Sequence, residues 1–200
     1  MCRIYMYKLT TDNGGAPCVD NNLLSLAICK PKIRRTAQPG DFIFGFAANQ
    51  LHKENPLIYV AVMTDKKENG DYYRDPKYRT RCDCIYKWSQ DQFSLKRSAK
   101  YHNTEDPLKR KEHFVKDIIK SNDVLLSRDF RYFGGEGTAG YKKKYRHIRE
   151  AIDKMPRDFR LNHSDDLQRE LESLKNEIWS RYSVKKIGMP HQTPASCTEC

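Results

Sequence analysis

Apolar residues recur along the chain with two spacings, which separate predicted strands from predicted helices. Strand-like segments alternate loosely or form short runs of aromatic and β-branched residues, such as LIYVAVM at 57–63. Glycine and proline turns divide them from their neighbours. The pattern predicts strands at residues 2–9, 42–46, 57–63, 82–88, 124–127 and 130–133.

The first predicted helix follows the polar turn after strand 2–9. Its apolar residues lie at 23–28, Asn21 or Asn22 caps it, and Pro31 ends or kinks it. Cations favour the carboxyl end of a helix, where this chain concentrates Lys30, Lys32, Arg34 and Arg35. The two arginines suit either a phosphate clamp or a solvated helix end, and both interpretations stay open.

Three further helices are predicted at residues 105–120, 142–155 and 164–182. Thr104 caps the first of them. Its expected inward stripe is Leu108, Val115, Ile118 and Ile119, and that of the last helix is Leu167, Leu171, Leu174 and Ile178.

Short strands and helices follow each other without regular βαβ alternation, which indicates an α+β fold. We expect one main domain at 1–155, a helical extension packed on it at 156–184, and a mobile tail at 185–200. The long basic segment 66–104 is expected to be functional or partly disordered.

The charge of the chain points to anionic partners. Its formal net charge is +11 with a pI near 9.3, and basic residues alternate with tyrosines at 72–81 and 141–146. This mixture suits phosphate contacts and base stacking, so nucleic acid is the favoured partner. A small anionic ligand or nucleotide and a merely solvated basic face are the alternatives.

The remaining composition bounds the setting of the protein. No run of about 18 apolar residues predicts a membrane span. The amino terminus lacks the apolar core of a signal peptide, so we expect a cytoplasmic protein. Because the cytoplasm is reducing, the seven cysteines of the chain are expected to be free thiols or metal ligands rather than disulfides.

Several motifs with possible chemistry also have ordinary structural explanations. Gly14-Gly15 and the glycines at 134–137 suit phosphate contact or generic turns, and neither matches a nucleotide-binding fingerprint. Cysteine nucleophiles need a histidine partner, and no histidine spacing selects one for Cys18 or Cys29. Zinc ligation is the weaker interpretation of four further cysteines, Cys82, Cys84, Cys197 and Cys200.

Asp12-Asn13, with Asp20 nearby, is the sharper candidate for catalysis. A carboxylate beside an amide can orient water and stabilise positive charge on a sugar ring, as glycosidic cleavage requires. Asp and Asn before two glycines are also common turn formers, so a structural role is the alternative.

Three segments of the chain resemble one known family. They are YKLTTDNGGAPC, LSLAICKPKIRRTAQPGDFIFGFA and VLLSRDFRYFG, and the likeness extends to about residue 152. The chain resembles the nucleotide modification associated domain family, second type, which occurs in phage and bacterial systems that make, recognise or counter modified DNA bases. QPGDFIFGFA, LIYVAVMTD and YYRDPKYRTRCD are more loosely similar to PUA-like folds such as the EVE and YTH domains, which hold a flipped, modified base.

These resemblances imply a PUA-like mixed β-barrel or sheet with flanking helices. Together with the charge and residue chemistry above, they suggest roles for three sets of residues. The catalytic set is Asp12, Asn13 and Asp20. The base-pocket set is Tyr7, Thr11, Phe44, Phe46 and Tyr132. The nucleic-acid-binding set is Lys8, Lys30, Lys32, Arg34, Arg35, Arg79, Arg81, Lys142, Lys143 and Lys144.

The favoured function is a DNA glycosylase-like hydrolase that flips a modified base and excises it, and the resemblance implies phage defence as its setting. Asp12 supplies the carboxylate, Asn13 positions water, and no cofactor or metal is expected. The alternatives are a non-catalytic reader of modified bases and an interaction protein that recruits a nuclease. The expected partner is DNA with modified bases, and the oligomeric state stays open.

Overall fold

The structure, a computed structural model, describes residues 2–156 and 158–191 as a mixed α+β fold. The strands are β1 (Ile4–Leu9), β2 (Cys18–Asp20), β3 (Leu23–Leu26), β4 (Phe42–Ala47), β5 (Leu57–Val62), β6 (Asp65–Lys67), β7 (Tyr86–Ser89), β8 (Gln92–Leu95), β9 (Val124–Ser127), β10 (Asp129–Tyr132) and β11 (Phe159–Arg160). The α-helices are α1 (Pro31–Thr36), α2 (Asp71–Arg74), α3 (Pro107–Phe114), α4 (Tyr141–Lys144), α5 (Arg146–Lys154) and α6 (Asp165–Arg181). A π-helical turn at Val115–Ile119 continues α3, and short 3₁₀ turns cover Pro76–Tyr78 and Gly134–Glu136.

Two open sheets and one hairpin carry the strands. The central sheet has the order β10-β5-β4-β1-β11, in which β1 and β4 are parallel and the other pairs antiparallel. The second sheet, β2-β3-β9-β6, is antiparallel, and β7 and β8 form the hairpin. Within the described residues neither sheet closes into a barrel. The α+β prediction is thus confirmed, and the predicted barrel is not found there.

Strand β1 is buried on both faces because the central sheet lies between two cores. Ile4 and Met6 pack with the apolar sides of α5 and α6, while Tyr5, Tyr7 and Leu9 pack on the opposite side with β3 and β10. A third cluster joins the end of β3 to α2 and β7. The loose alternation of residues 2–9 follows from this two-sided burial.

The predicted helix at residues 23–28 is wrong. Leu23–Leu26 is strand β3, and Asn21 and Asn22 both have positive φ in the tight turn between β2 and β3. Pro31 begins α1 rather than ending a helix, because its fixed φ and missing N–H suit the first helical position. Leu23 to Ile28 are all buried, so their spacing does not distinguish a strand from a helix.

The predicted helix at 105–120 is confirmed in part. Asp106, not Thr104, caps α3 by accepting hydrogen bonds from the backbone N–H groups of Leu108 and Lys109. Leu108 is 78% exposed and Ile119 67% exposed, so the predicted inward stripe is wrong at both positions. The buried residues of this segment include two polar ones, His113 and Asp117.

The remaining helix predictions agree more closely with the structure. Helix α6 has Ser164 as its N-cap and buries the predicted stripe of four apolar residues. The region 142–155 is divided into α4 and α5 at Tyr145, which has an extended backbone. No helix among the described residues is long and apolar enough to cross a membrane.

The segment after α6 returns to the central sheet. Tyr132 donates its backbone N–H to the Lys185 carbonyl oxygen and accepts a hydrogen bond from the Ile187 N–H, and Gly135 donates to the Met189 carbonyl oxygen, each at 2.8 Å. Residues 192–200 of the predicted mobile tail, which include Cys197 and Cys200, lie outside the described residues. The division of the chain at residue 155 stays a prediction.

Candidate active site

A cavity of about 260 Å³ opens at the carboxyl end of β1. Ligands often bind beyond the carboxyl ends of parallel strands, and β1 and β4 form the parallel pair of the central sheet. The wall combines aromatic, aliphatic and basic side chains with a few polar atoms. It is made of Tyr7, Leu9, Thr10, Thr11, Asn13, Ala16, Cys29, Lys30, Pro31, Lys32, Ile33, Lys116, Lys120, Asp158 and Phe159.

The loop after β1 holds an amide against this cavity. Asn13 Oδ1 accepts a hydrogen bond from the backbone N–H of Gly15 at 2.9 Å, which closes a local turn. The Asn13 Nδ2 group is buried and has no hydrogen-bond partner among the described residues. An unmet buried donor is costly, so a ligand acceptor placed there would gain a strong contact.

A cysteine, a histidine and an aspartate form a connected chain beneath the same cavity. Cys29 Sγ lies 3.6 Å from His102 Nε2, and His102 Nδ1 lies 2.6 Å from Asp117 Oδ2. The backbone N–H of Cys29 donates to Asp117 Oδ1 at 2.7 Å. A nucleophile, a base and an orienting carboxylate in this order are the arrangement used in thiol catalysis.

The backbone presents Cys29 at a sharp corner. Cys29 and Lys30 both have positive φ, at 57° and 46°, between the end of β3 and the start of α1. Such a conformation is unfavourable for side chains other than glycine, and it persists where the surrounding contacts enforce it. The corner turns the half-buried thiol towards the cavity wall.

Charges around His102 favour its protonated form. Burial lowers the pKa of His102, but hydrogen bonds with Asp117 and Cys29 outweigh burial and raise that pKa to about 10. Burial alone would raise the pKa of Asp117, yet the His102 contact and the nearby Arg34 charge lower it. An imidazolium beside a cysteine sulfur stabilises the reactive thiolate.

His113 stacks on His102, with ring centroids 4.0 Å apart and planes at 7°. Burial and the His102 charge both lower the pKa of His113. These opposite shifts favour one charged and one neutral ring, which avoids direct repulsion between two cations.

Arg34 supports this chain of residues and is not a phosphate clamp. Its side chain is fully buried, and it donates to the carbonyl oxygens of Cys29, Lys116, Asp117 and Asp123 at 2.7–3.1 Å. Because these bonds join the Cys29 corner to the π-helical turn, Arg34 fixes the thiol relative to Asp117. Its neighbour Arg35 is exposed.

Arg81 is also buried, so its predicted phosphate contact is wrong. Its guanidinium donates to the carbonyl oxygens of Cys18 and Leu23, to Ser25 and to the Tyr72 hydroxyl. Arg79 lies elsewhere, in a second groove with Arg74, Lys87 and Trp88.

The predicted catalytic carboxylates do not line the cavity. Asp12 is 1% exposed and accepts hydrogen bonds from the Tyr132 hydroxyl at 2.7 Å and the His191 backbone N–H at 3.3 Å. Burial raises the pKa of Asp12, although both hydrogen bonds act in the opposite direction. Asp20 is exposed at the turn between β2 and β3.

The predicted base-pocket residues are divided between the two faces of the central sheet. Tyr7 and Thr11 line the cavity, where Lys30 Nζ lies 4.8 Å from the centre of the Tyr7 ring. Tyr132 is buried behind it, bonded to Asp12. Phe44 and Phe46 are fully buried in the core under α5 and α6, so they do not line this cavity.

The predicted nucleic-acid-binding lysines are also divided. Lys30 and Lys32 lie on the cavity wall, joined there by Lys116 and Lys120, which the sequence pattern did not single out. Lys32 pairs with Asp158 at 2.9 Å. Lys8 is buried, and burial lowers its pKa. The three lysines of α4, Lys142, Lys143 and Lys144, belong to another surface, where two of them pair with Glu54 and Glu177.

His102 and Asp117 were missed because they lie 73 and 88 residues from Cys29 in the chain. Asp117 lies in the helix that was predicted at 105–120 from the spacing of its apolar residues. Nothing in the sequence around Asp117 indicates that its carboxylate is buried. Among the described residues no group of His, Cys, Asp and Glu has the arrangement of a metal site. The zinc interpretation involves Cys197 and Cys200, which lie outside them.

Comparisons with known proteins give one match. Neither the curated proteins nor the solved structures contain a match to this chain. A family model described as nucleotide modification associated domain 2 matches residues 1–196. The resemblance seen in the sequence is thus confirmed, and the chain belongs to the nucleotide modification associated domain 2 family.

Proposed function

We propose that this protein is an enzyme that binds a modified DNA base in the cavity beside β1 and attacks it with the Cys29 thiolate. The observation that carries the proposal is the connected chain Cys29–His102–Asp117 at the wall of a cavity. Membership of a family associated with nucleotide modification supports a modified nucleotide as the class of substrate.

In this proposal each of the three connected residues, Cys29, His102 and Asp117, has its own role. His102 already holds a proton as an imidazolium beside the sulfur, so that Cys29 attacks an electrophilic carbon of the modified base as a thiolate. The imidazolium then gives its proton to the group that leaves. Water cleaves the covalent adduct and restores the thiol. Asp117 keeps the imidazole in the required orientation, as carboxylates do in thiol and serine enzymes.

Binding of the base would use the other side of the cavity. Asn13 Nδ2 offers its unmet hydrogen bond to an acceptor on the base edge. Lys30, Lys116 and Lys120 provide positive charge for the phosphates that flank a flipped nucleotide. Flipping costs a few kcal/mol, which these contacts would offset.

Excision by N-glycosidic hydrolysis is the second candidate. The unmet Asn13 donor favours it, because Asn13 lies next to the carboxyl group of Asp12 in the chain. In this second candidate the Asp12 carboxylate would have to become accessible when the DNA binds. The modified base would then lie in a PUA-like pocket, and the substrate would be phage DNA. The Cys29 proposal needs no such rearrangement, so we prefer it.

The test uses phage DNA with hypermodified cytosines and unmodified DNA as the comparison. Wild-type protein, Cys29→Ala and Cys2→Ser are incubated with each, and the nucleosides are then analysed by mass spectrometry. Cys2 is an exposed cysteine outside the cavity, so Cys2→Ser is the matched control. We expect conversion of the modified nucleoside, and a protein–DNA adduct on denaturing gels, with the wild type and Cys2→Ser only.

Other outcomes select the other candidates. Alkali-labile abasic sites that persist in Cys29→Ala and disappear in Asp12→Asn would establish excision. Intact modified DNA that the protein nevertheless retains would establish a reader without chemistry.

A further inference from the structure

Two cysteines outside the proposed active site lie close enough to react with each other. Cys18 Sγ, in β2, is 3.2 Å from Cys82 Sγ, in the loop before β7. Both are free thiols in the structure, Cys18 buried and Cys82 half-buried. Neither lines the cavity, and the Cys29 mechanism uses neither.

The surroundings shift the pKa values of the two thiols in opposite directions. Contact with Cys18 lowers the pKa of Cys82 to about 7 despite burial, with help from the Tyr101 hydroxyl and the Arg81 charge. The pKa of Cys18 is raised well above its ordinary value by the same contact and by burial. A more accessible thiolate beside a buried thiol is the arrangement of a reacting and a resolving cysteine.

The sulfurs also touch the loop that carries Asn13. Cys82 Sγ lies 3.7 Å from the carbonyl oxygen of Gly14, and the Tyr101 hydroxyl lies 3.7 Å from the same sulfur. That hydroxyl donates to the Asn13 carbonyl oxygen at 3.2 Å. A change in the position or protonation of Cys82 therefore reaches the cavity wall through two contacts.

We propose that Cys18 and Cys82 form a reversible disulfide in response to peroxide, and that its formation loosens the Asn13–Gly15 turn. The Cys82 thiolate attacks one peroxide oxygen, which forms a sulfenic acid and releases hydroxide. The Cys18 sulfur then attacks the Cys82 sulfur, the S–S bond forms, and the hydroxyl group leaves with the Cys18 proton as water. The hydroxide takes up the proton that Cys82 lost on ionisation, so one peroxide is reduced to two waters as two thiols are oxidised.

The disulfide displaces the contacts of the loop. Bond formation brings the sulfurs from 3.2 Å to about 2.05 Å, which moves the Cys82 sulfur relative to the Gly14 carbonyl oxygen and the Tyr101 hydroxyl. The Cys82 sulfur also loses its thiolate charge, so it becomes a weaker acceptor for the Tyr101 hydroxyl. The consequence is a more open turn at the cavity wall in the oxidised protein, whatever reaction the cavity serves.

Peptide mapping tests the bond itself. Trypsin releases Cys18 together with Cys29 in peptide 9–32, and Cys82 together with Cys84 in peptide 82–87. The double variant Cys29→Ser/Cys84→Ser leaves one cysteine in each peptide. After peroxide treatment we expect the two peptides to be joined in this variant and in the wild type, and to separate on reduction.

Hydrogen exchange tests the effect on the loop, and it needs neither activity nor DNA. We expect the amides of residues 13–15 to exchange several-fold faster in the peroxide-treated protein than in the reduced protein, and Cys82→Ala to remove this difference. Peptides that stay separate under peroxide would overturn the disulfide. Joined peptides with unchanged exchange at 13–15 would overturn the switch. Failure of the Cys29 proposal would change neither result.

Discussion

The two faces of the central sheet are built from different side chains although they share the same strands. Towards α5 and α6, β1 presents Ile4 and Met6 to a core that consists mainly of aliphatic and phenylalanine side chains and also contains Tyr141 and Tyr145. On the opposite face it presents Tyr5 and Tyr7, and the Tyr7 hydroxyl bonds to that of Tyr59 at 2.9 Å. The second face is buried as deeply as the first, but it contains polar atoms that each need a partner.

This difference separates a face that stabilises the fold from a face that can carry chemistry. On the face towards α5 and α6, the helical face, apolar packing is non-directional and requires only complementary shapes. On the opposite face, the tyrosine face, hydrogen bonds fix the directions of the side chains, and the cavity with Cys29 opens at the edge of this face. The comparison predicts that substitutions on the two faces have separable effects on activity and on stability.

The largest expected effect is on activity, at Cys29. Cys29→Ala should reduce turnover of the proposed modified DNA substrate by about a thousandfold or more, because the proposed nucleophile is removed. The melting temperature should change by only a few degrees, since the thiol is half-buried and small. Steady-state kinetics and calorimetry of the same preparation measure both. A variant that keeps its turnover would end the thiol mechanism.

The next effect is a dependence of stability on pH that arises from His102. Its pKa is about 10 in the folded protein, where hydrogen bonds with Asp117 and Cys29 outweigh burial, and about 6.5 when unfolded. Because the folded value is the higher one, the stabilisation is fully present below about pH 6.5 and is lost as pH rises to about 10.

His102→Asn isolates this contribution. At about pH 6 the variant should be less stable than the wild type by about 3–5 kcal/mol, since Asp117 is left buried without its charged partner. The difference should shrink as pH rises from about 6.5 to about 10. Urea unfolding at a series of pH values measures it. A constant difference over that range would mean that His102 is neutral in the folded protein.

A substitution on the helical face tests the opposite case, a loss of stability without a loss of activity. Leu171 is fully buried against the sheet, and Leu171→Ala should lower the free energy of unfolding by about 2–5 kcal/mol. Turnover per folded molecule should stay unchanged, because no residue of the cavity packs on Leu171 in that core. Denaturant unfolding and kinetics well below the transition give the two values. A large loss of turnover here would remove the separation between the faces.

The same contrast explains how much of the molecule could be predicted. Helix α6 was predicted almost to the residue, because Leu167, Leu171 and Leu174 face one apolar core and the other side faces solvent. Strand β3 was predicted as a helix because both of its faces are buried, which leaves no periodic signal. Local pattern thus predicts an element well where one face meets water.

The candidate site was predicted only where it is local in the chain. Tyr7 lies in β1, Thr11 and Asn13 follow that strand, and the structure places all three at one cavity. Cys29 entered the analysis, but the partner that would make it a nucleophile is distant in sequence and comes from another loop. Arg34 has a charge suited to phosphate, and only its four carbonyl contacts show that it is structural.

The smallest expected effect concerns the basic rim of the cavity. Lys120 is exposed there, and Lys120→Ala should weaken the proposed DNA binding several-fold through the loss of one expected phosphate contact. The slope of log affinity against log salt should fall by about one, because about one fewer counterion is released. Lys143→Ala is the control, since it removes an exposed lysine of α4 outside the cavity. The two variants therefore have the same net charge and differ only in where the charge was lost. Binding titrations at several salt concentrations distinguish the two variants. Equal losses would show that the whole basic surface, and not the rim beside Cys29, holds the DNA.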